Sequence, residues 1–166
     1  YFKREKINSY PISSFSNTSN YNYNPDVNFI DSLTGETSLF KAIRNNDIMG
    51  LYDIVSNGAN INKKNKKNET PLSLAISIGN STISTTLIRL NPDLEHLDNR
   101  SRNALWYAVN KRDTSLVKEL LANGANPTSK DFFSDIINYR NSDLKKTRLI
   151  DLFLNNGINP KTYQIE

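Results

Sequence analysis

His96 is the single histidine of the chain and no cysteine accompanies it. Alone it can be neither half of a zinc site nor the base of a recognisable catalytic triad. The lack of cysteine also removes disulfides and thiolate metal sites, and leaves the redox compartment open. The glycines are spread along the chain as helix stops rather than gathered into a phosphate-cradling loop. Asp47, Asp113 and Asp143 each stand before an expected helix, where capping and the helix dipole account for a carboxylate without catalysis. The chain therefore reads as a non-enzyme with no cofactor and no metal. The competing reading needs a carboxylate site near the C-terminus or a catalytic group outside this chain.

What remains is positive charge. Formal net charge is +4, and its placement is uneven. Lys63, Lys64, Lys66 and Lys67 crowd one expected loop, and Arg100 and Arg102 fall on the next. Arg44 and Lys111, with Arg112 beside it, sit where the expected first helices would face a groove. Cations in such a row attract acidic protein surface, nucleic acid or anionic lipid. Bases would need interleaved aromatics to stack on, and these loops have none, so nucleic acid ranks behind protein. The bland alternative is a lysine-rich loop that simply stays solvated.

The elements that would position these residues follow a period. Leu39/Ala42, Leu72/Ala75 and Leu105/Ala108 recur 33 residues apart, Gly58-Ala59-Asn60 and Gly124-Ala125-Asn126 lie two periods apart, and Gly157 falls one period further. A shared interval across apolar, small and turn residues means one supersecondary unit copied in tandem. In the first unit Thr37 can cap a helix carrying Leu39, Ala42 and Ile43. Asn45-Asn46-Asp47 breaks it, and a second stripe of Leu51, Ile54 and Val55 ends at Gly58. The second unit repeats the order from Thr70-Pro71, through Leu72, Ala75 and Ile76, then Ile83, Leu87 and Ile88, with Asn91-Pro92 in place of Gly-Ala. The third runs through Leu105, Trp106, Ala108 and Val109, then Leu116, Val117, Leu120 and Leu121. The abundance of asparagine fits codon bias, and Asn also tolerates the left-handed angles that turns require.

The chain resembles the ankyrin-repeat family. Gly35-Glu36-Thr37-Ser38-Leu39, Glu69-Thr70-Pro71-Leu72-Ser73-Leu74-Ala75 and the two Gly-Ala-Asn turns carry the resemblance, over roughly residues 24–160. It implies an all-α solenoid of stacked helix–turn–helix units with projecting loops: about three full repeats (35–67, 68–100, 101–130) and a divergent fourth (131–160). The family's His position reads Phe40, Ser73 and Trp106, so the hydrogen bonds that His supplies between neighbours are missing. Trp106 is expected to pack between units rather than anchor a partner. The family's concave face, lined by loops and first helices, would gather the basic residues named above while Asp and Glu lie elsewhere.

Both ends depart from the pattern. Asn24-Pro25-Asp26-Val27-Asn28 echoes Asn91-Pro92-Asp93-Leu94-Glu95, the exit of a unit whose helices are gone. Phe132, Phe133, Ile136 and Ile137, then Leu149, Ile150, Phe153 and Leu154, outline the fourth unit with a longer loop over 138–146. Residues 1–23 are Ser-, Asn- and Tyr-rich, read as a strap whose Tyr1, Phe2, Tyr10, Phe15, Tyr21 and Tyr23 cover the first unit's open flank. A flexible tether and direct partner contact are the other readings.

No uninterrupted apolar run approaches the 18 residues that a membrane-spanning helix needs. The chain begins at Tyr1, so an upstream segment is expected; a removed signal would place it in the periplasm or otherwise outside, its absence in the cytoplasm. Ankyrin-like modules bind proteins, so the resemblance implies a protein–protein interaction module for an acidic partner. The favoured role is a bacterial inhibitor or immunity protein; the alternative is an adaptor or effector fragment whose enzymatic domain lies outside this chain. The partner's identity and the oligomeric state stay open.

Overall fold

Each unit makes its chain reversals at three fixed places, and backbone handedness marks all of them. In the computed structural model, which describes residues 26–127 and 151–155, left-handed backbone occurs at Gly35, Asn68 and Ser101, at Asn46, Gly79 and Arg112, and at Gly58, Asn91 and Gly124. Every set steps by 33. The first set lies at the loop turns, the second between paired helices, and the third where the second helix ends. Between these points run α1 (Ser38–Arg44) and α2 (Ile48–Ser56), α3 (Pro71–Ser77) and α4 (Ser81–Arg89), and α5 (Ala104–Asn110) and α6 (Thr114–Ala122). The described residues contain helices and turns and no strand.

Caps fix where each helix starts. Thr70 accepts from the Ser73 backbone N–H while the Ser73 hydroxyl accepts from Thr70 N–H, and Pro71 occupies the first turn. Asn103 does the same duty for α5 by accepting from Trp106 N–H. Asp47 and Asp113 accept from Gly50 and Leu116 N–H, which confirms their expected capping role. Thr37 occupies the cap position of α1 but makes no side-chain cap bond.

The two helix layers differ in how tightly they close. α1, α3 and α5 pack side by side, each also on its own partner α2, α4 or α6, and α4 packs on α6. Leu39, Ala42, Leu72, Ala75, Leu105 and Ala108 are all buried in one continuous core. Burying each such leucine contributes about 1.5–3 kcal/mol. α2 makes no comparable contact with α4, and a shallow groove of about 490 Å³ opens between them, walled by Ile48 and Tyr52 on one side and Thr82, Thr86 and Arg89 on the other.

Asparagine has structural uses at the exits and caps. Asn60 N–H donates to Asn28 Oδ1 at 2.8 Å and Asp93 N–H to Asn62 Oδ1 at 2.9 Å. Asn28 Nδ2 also donates to Gly58 O at 3.2 Å, and Asn126 N–H donates to Glu95 Oε1 at 2.7 Å, so side-chain bonds join each exit to the next. Whatever codon bias supplied, the fold uses these amides as joints.

Residues 151–155 are helical, with Leu152 and Phe153 buried in the same core and Leu154 exposed. That corrects the expected stripe at one place, since Leu152 rather than Leu154 faces inward. The arm over 1–23, the rest of the fourth unit (Phe132, Phe133, Ile136, Ile137, Leu149, Ile150, the 138–146 loop and Gly157) and Asp143 lie outside the described residues.

Candidate docking face

Three loop turns stand in a row because one side chain in each folds its own backbone. Asp31 Oδ1 accepts from Leu33 and Thr34 N–H, Asn65 Oδ1 from Lys67 and Glu69 N–H, and Asp98 Oδ1 from Arg100 and Arg102 N–H. These are Asx turns, in which a short carboxylate or amide substitutes for a backbone acceptor. Neighbouring turns are then stitched together. Lys66 N–H donates to Thr34 O and Asn99 N–H to Lys67 O, each at 3.3 Å.

The row gathers part of the predicted basic set. Lys64, Lys66, Lys67 and Arg100 are exposed on adjoining turns, and Lys63, half-buried, stands beside them. Lys66 Nζ donates to Ser32 O at 2.6 Å. None of Lys63, Lys64, Lys67 and Arg100 has a carboxylate within ion-pair distance among the described residues.

The other predicted cations are engaged or distant. Arg44 Nη2 reaches Glu36 Oε1 at 2.6 Å, and its Nε reaches both carboxylate oxygens at 3.2 Å. That hydrogen bonding holds the guanidinium above its ordinary range. Arg102 lies over the Trp106 ring, 4.2 Å from its centroid, a cation–π contact. Lys111 is exposed just after α5, and Arg112 holds the left-handed turn before α6. They sit at the far end of α5, about 10 Å of helix from the loop turns.

Acidic groups share this region, contrary to the expectation that they lie elsewhere. Glu36 pairs with Arg44, and Glu69 accepts from Asn65 Nδ2 at 2.8 Å while its field reaches both Arg44 and Tyr107. Asp98 takes the Tyr107 hydroxyl at 2.5 Å. Burial pushes the Asp98 carboxyl up, but the Tyr107 hydroxyl and two backbone N–H groups outweigh it and hold the carboxyl below its usual value. The same burial and bond push Tyr107 up to about 12. The loop roots thus form a hydrogen-bonded floor that carries both signs of charge, and the cations without a carboxylate partner among the described residues stand at the tips.

Trp106 is half-buried and packs against the core, with its ring edge-on to Tyr107 at 5.3 Å. His96 Nε2 donates to Asn68 O at 2.8 Å, which ties one turn to the next. No group of three or more His, Asp or Glu able to hold a metal exists among the described residues. No described helix is long and apolar enough to cross a membrane. Sequence reasoning missed one feature of the face: Phe29 and Ile30, just before the leading turn, and Leu33, on it, are exposed. Their signal was an apolar residue, Leu33, one period before Lys66.

Comparison with known proteins agrees with this geometry. A family model described as ankyrin repeats, in three copies, matches residues 39–131. Over 97 residues the chain is 31% identical to the probable 26S proteasome regulatory subunit p28 of Saccharomyces cerevisiae, covering 57% of this chain and 42% of that protein. Over 61 residues it is 41% identical to the ankyrin repeat and ELMO domain-containing protein D of Dictyostelium discoideum, covering 36% of this chain and 5% of that one. The chain spans less than half the length of either relative. With more than half of its residues matched by that model and three helical hairpins stacked at its period, the chain belongs to the ankyrin-repeat family.

Proposed function

We propose that the row of loop tips docks a protein that presents acidic surface, and that the chain acts by binding rather than by catalysis. Ankyrin repeats serve as protein–protein interaction modules. The observation that carries the acidic preference is the bond from Asn99 N–H to Lys67 O, which sets the Lys63–Lys67 turn against the Arg100 turn. Held by Asx turns and neighbouring helices, this surface is preformed, so docking loses little ordering entropy. Cations at a rim act mainly on the rate of encounter and on salt dependence.

Two biological roles fit such a module. As an inhibitor or immunity protein it would cover an acidic region near its target's active site. As an adaptor it would hold the partner for a domain outside this chain. The adaptor reading draws support from the Dictyostelium relative, whose name couples ankyrin repeats to an ELMO domain.

The test is to capture the partner from the source cell, then measure association with the chain and with a Lys63→Gln, Lys64→Gln, Lys67→Gln, Arg100→Gln variant. Slower association by about tenfold at low salt and a flatter salt dependence support the proposal. Unchanged rates at every salt concentration would mean the loop charges serve only solvation. Assay of the captured partner's own activity, with and without the chain, separates inhibitor from adaptor.

A further inference from the structure

Exposed apolar residues are not spread evenly along the stack. Among the described residues, eight large hydrophobic side chains are exposed, and five of them (Phe29, Ile30, Leu33, Met49 and Tyr52) precede residue 53. Phe29 and Ile30 lie on the segment that enters the leading turn, and Leu33, 84% exposed, lies on the turn itself. One period on, the Leu33 place is held by Lys66, and the next by Asn99.

Two successive turns hold these side chains: Phe29 N–H donates to Asp26 O at 2.9 Å, Ile30 follows it, and the Asp31–Gly35 turn carries Leu33. Asp31 Oδ1 accepts from Leu33 N–H, Thr34 N–H and the Thr34 hydroxyl, and Gly35 N–H closes the turn on Asp31 O at 2.7 Å. The turn is also locked to the cationic row. Lys66 contributes its backbone N–H to Thr34 O and its ammonium to Ser32 O, so one lysine bridges the apolar turn and the charged turn. Gly35 packs so closely there that a Cβ would stand 2.8 Å from Lys66 N. Along the loop tips three exposed apolar residues, Phe29, Ile30 and Leu33, thus precede the cations Lys64, Lys67 and Arg100, with Leu97 the one exposed large apolar residue beside Arg100's turn among the described residues.

We propose that Phe29, Ile30 and Leu33 form the apolar end of the docking face, and that the face fits a partner segment with hydrophobic side chains adjoining an acidic run. This inference rests on the loop-tip reading above and adds polarity to it. Charge complementarity chooses the acidic half of the partner, and the locked continuity between the two turns places the hydrophobic half. Burial of one leucine-sized side chain corresponds to roughly ten- to hundredfold in affinity, so the apolar end outweighs any single rim cation.

Two labelled synthetic peptides of equal length test it on the full chain: one of Glu and Ser only, the other identical but carrying three Leu/Phe residues at one end. The expected result is that the mixed peptide binds about tenfold or more tightly than the acidic one. Leu33→Ser should remove most of that advantage while leaving binding of the acidic peptide unchanged. Phe29→Ser with Leu33→Ser should remove it entirely, with helical circular dichroism confirming that both variants fold. If the mixed peptide has no advantage, or keeps it in the Leu33→Ser chain, the inference is overturned.

A full chain with Tyr10→Ser, Phe15→Ser, Tyr21→Ser and Tyr23→Ser supplies another check. If it binds the mixed peptide more tightly than wild type does, the N-terminal segment is the occupant and the proposal falls. A dimer in solution that Leu33→Ser dissolves overturns it in favour of a second copy. The parent reading fails separately, when Lys67→Gln with Arg100→Gln leaves binding of the acidic peptide unaltered.

Discussion

The inner row of the stack and the outer row of loop turns obey the same 33-residue period but fill it differently. Inside, Leu39, Leu72 and Leu105 repeat one residue type, and so do Ala42, Ala75 and Ala108; all six are buried. Outside, corresponding places hold Leu33, Lys66 and Asn99, or Glu36, Glu69 and Arg102. Close packing tolerates little change of volume, so the inner row is held to one solution. A turn needs only its Asx acceptor and its left-handed residue, which leaves the remaining positions open to binding chemistry. Between the rows lies a mixed position: Phe40 fills the core, Ser73 completes a cap, and Trp106 supports Arg102.

The sharpest way to break this comparison is to truncate matched leucines. Leu105→Ala removes a fully buried side chain and should cost about 2–5 kcal/mol, read from the midpoint of urea unfolding. Leu33→Ala, on the outer row, should stay within about 0.5 kcal/mol of wild type. Equal losses would mean that the exposed leucine is covered, and the distinction between the rows would collapse.

What could be read in the sequence follows the same division. The inner row was legible because apolar residues repeated at constant spacing point to a shared buried seam. Gly58 and Gly124 were legible as turns, and Asn91 as their substitute, because glycine announces a left-handed angle. Arg112 and Ser101 adopt that angle without announcing it, and only comparison with Gly79 and Asn68 one period away exposes them. The outer row was harder. Arg44 reads as a free cation until the fold brings Glu36, eight residues earlier, against it. Trp106 reads as packing and is half that, since its ring also supports Arg102. Charge in sequence says what a side chain carries, while availability depends on neighbours that only the fold supplies.

Glycine substitutions probe the seam where the rows meet. Gly79→Ala has open space around a new Cβ, so its cost is the left-handed backbone alone, about 1–2 kcal/mol. Gly35→Ala carries that strain and also drives a Cβ against the Lys66 backbone nitrogen. It should destabilise more than Gly79→Ala in the same urea assay, and it should also separate the leading turn from the cationic turn. If Gly35→Ala proves the milder of the two, the loop row is looser than its hydrogen bonds imply.

The Asp98–Tyr107 pair tests whether the floor of the loops belongs energetically with the core. Tyr107→Phe deletes a hydrogen bond to a carboxylate and should cost about 1.5 kcal/mol at neutral pH. Tyr107 is raised in the folded chain, so its contribution is fully present below the ordinary value of 10.0 and is lost as pH rises through about 12. The stability gap between wild type and Tyr107→Phe should therefore narrow across that window. Asp98 has the opposite sign: its depressed carboxyl stabilises above the ordinary 3.8 and loses that contribution as pH falls through its folded value. A gap that stays constant from about pH 8 to about pH 12 would show that the phenol is not held as the structure places it.

The smallest effect on stability should come from the residues argued to matter most for binding. Lys64, Lys67 and Arg100 make no ion pair among the described residues, so turning all three to Gln removes no folded-state carboxylate partner. Unfolding midpoints should move by less than about 0.5 kcal/mol, and any movement should be upward, because like charges on adjoining turns repel. The same variant should bind acidic peptide more weakly at low salt and converge with wild type as salt rises. Such a split, with stability kept and salt-dependent affinity lost, is what separates an outer row committed to docking from one that only keeps the stack solvated.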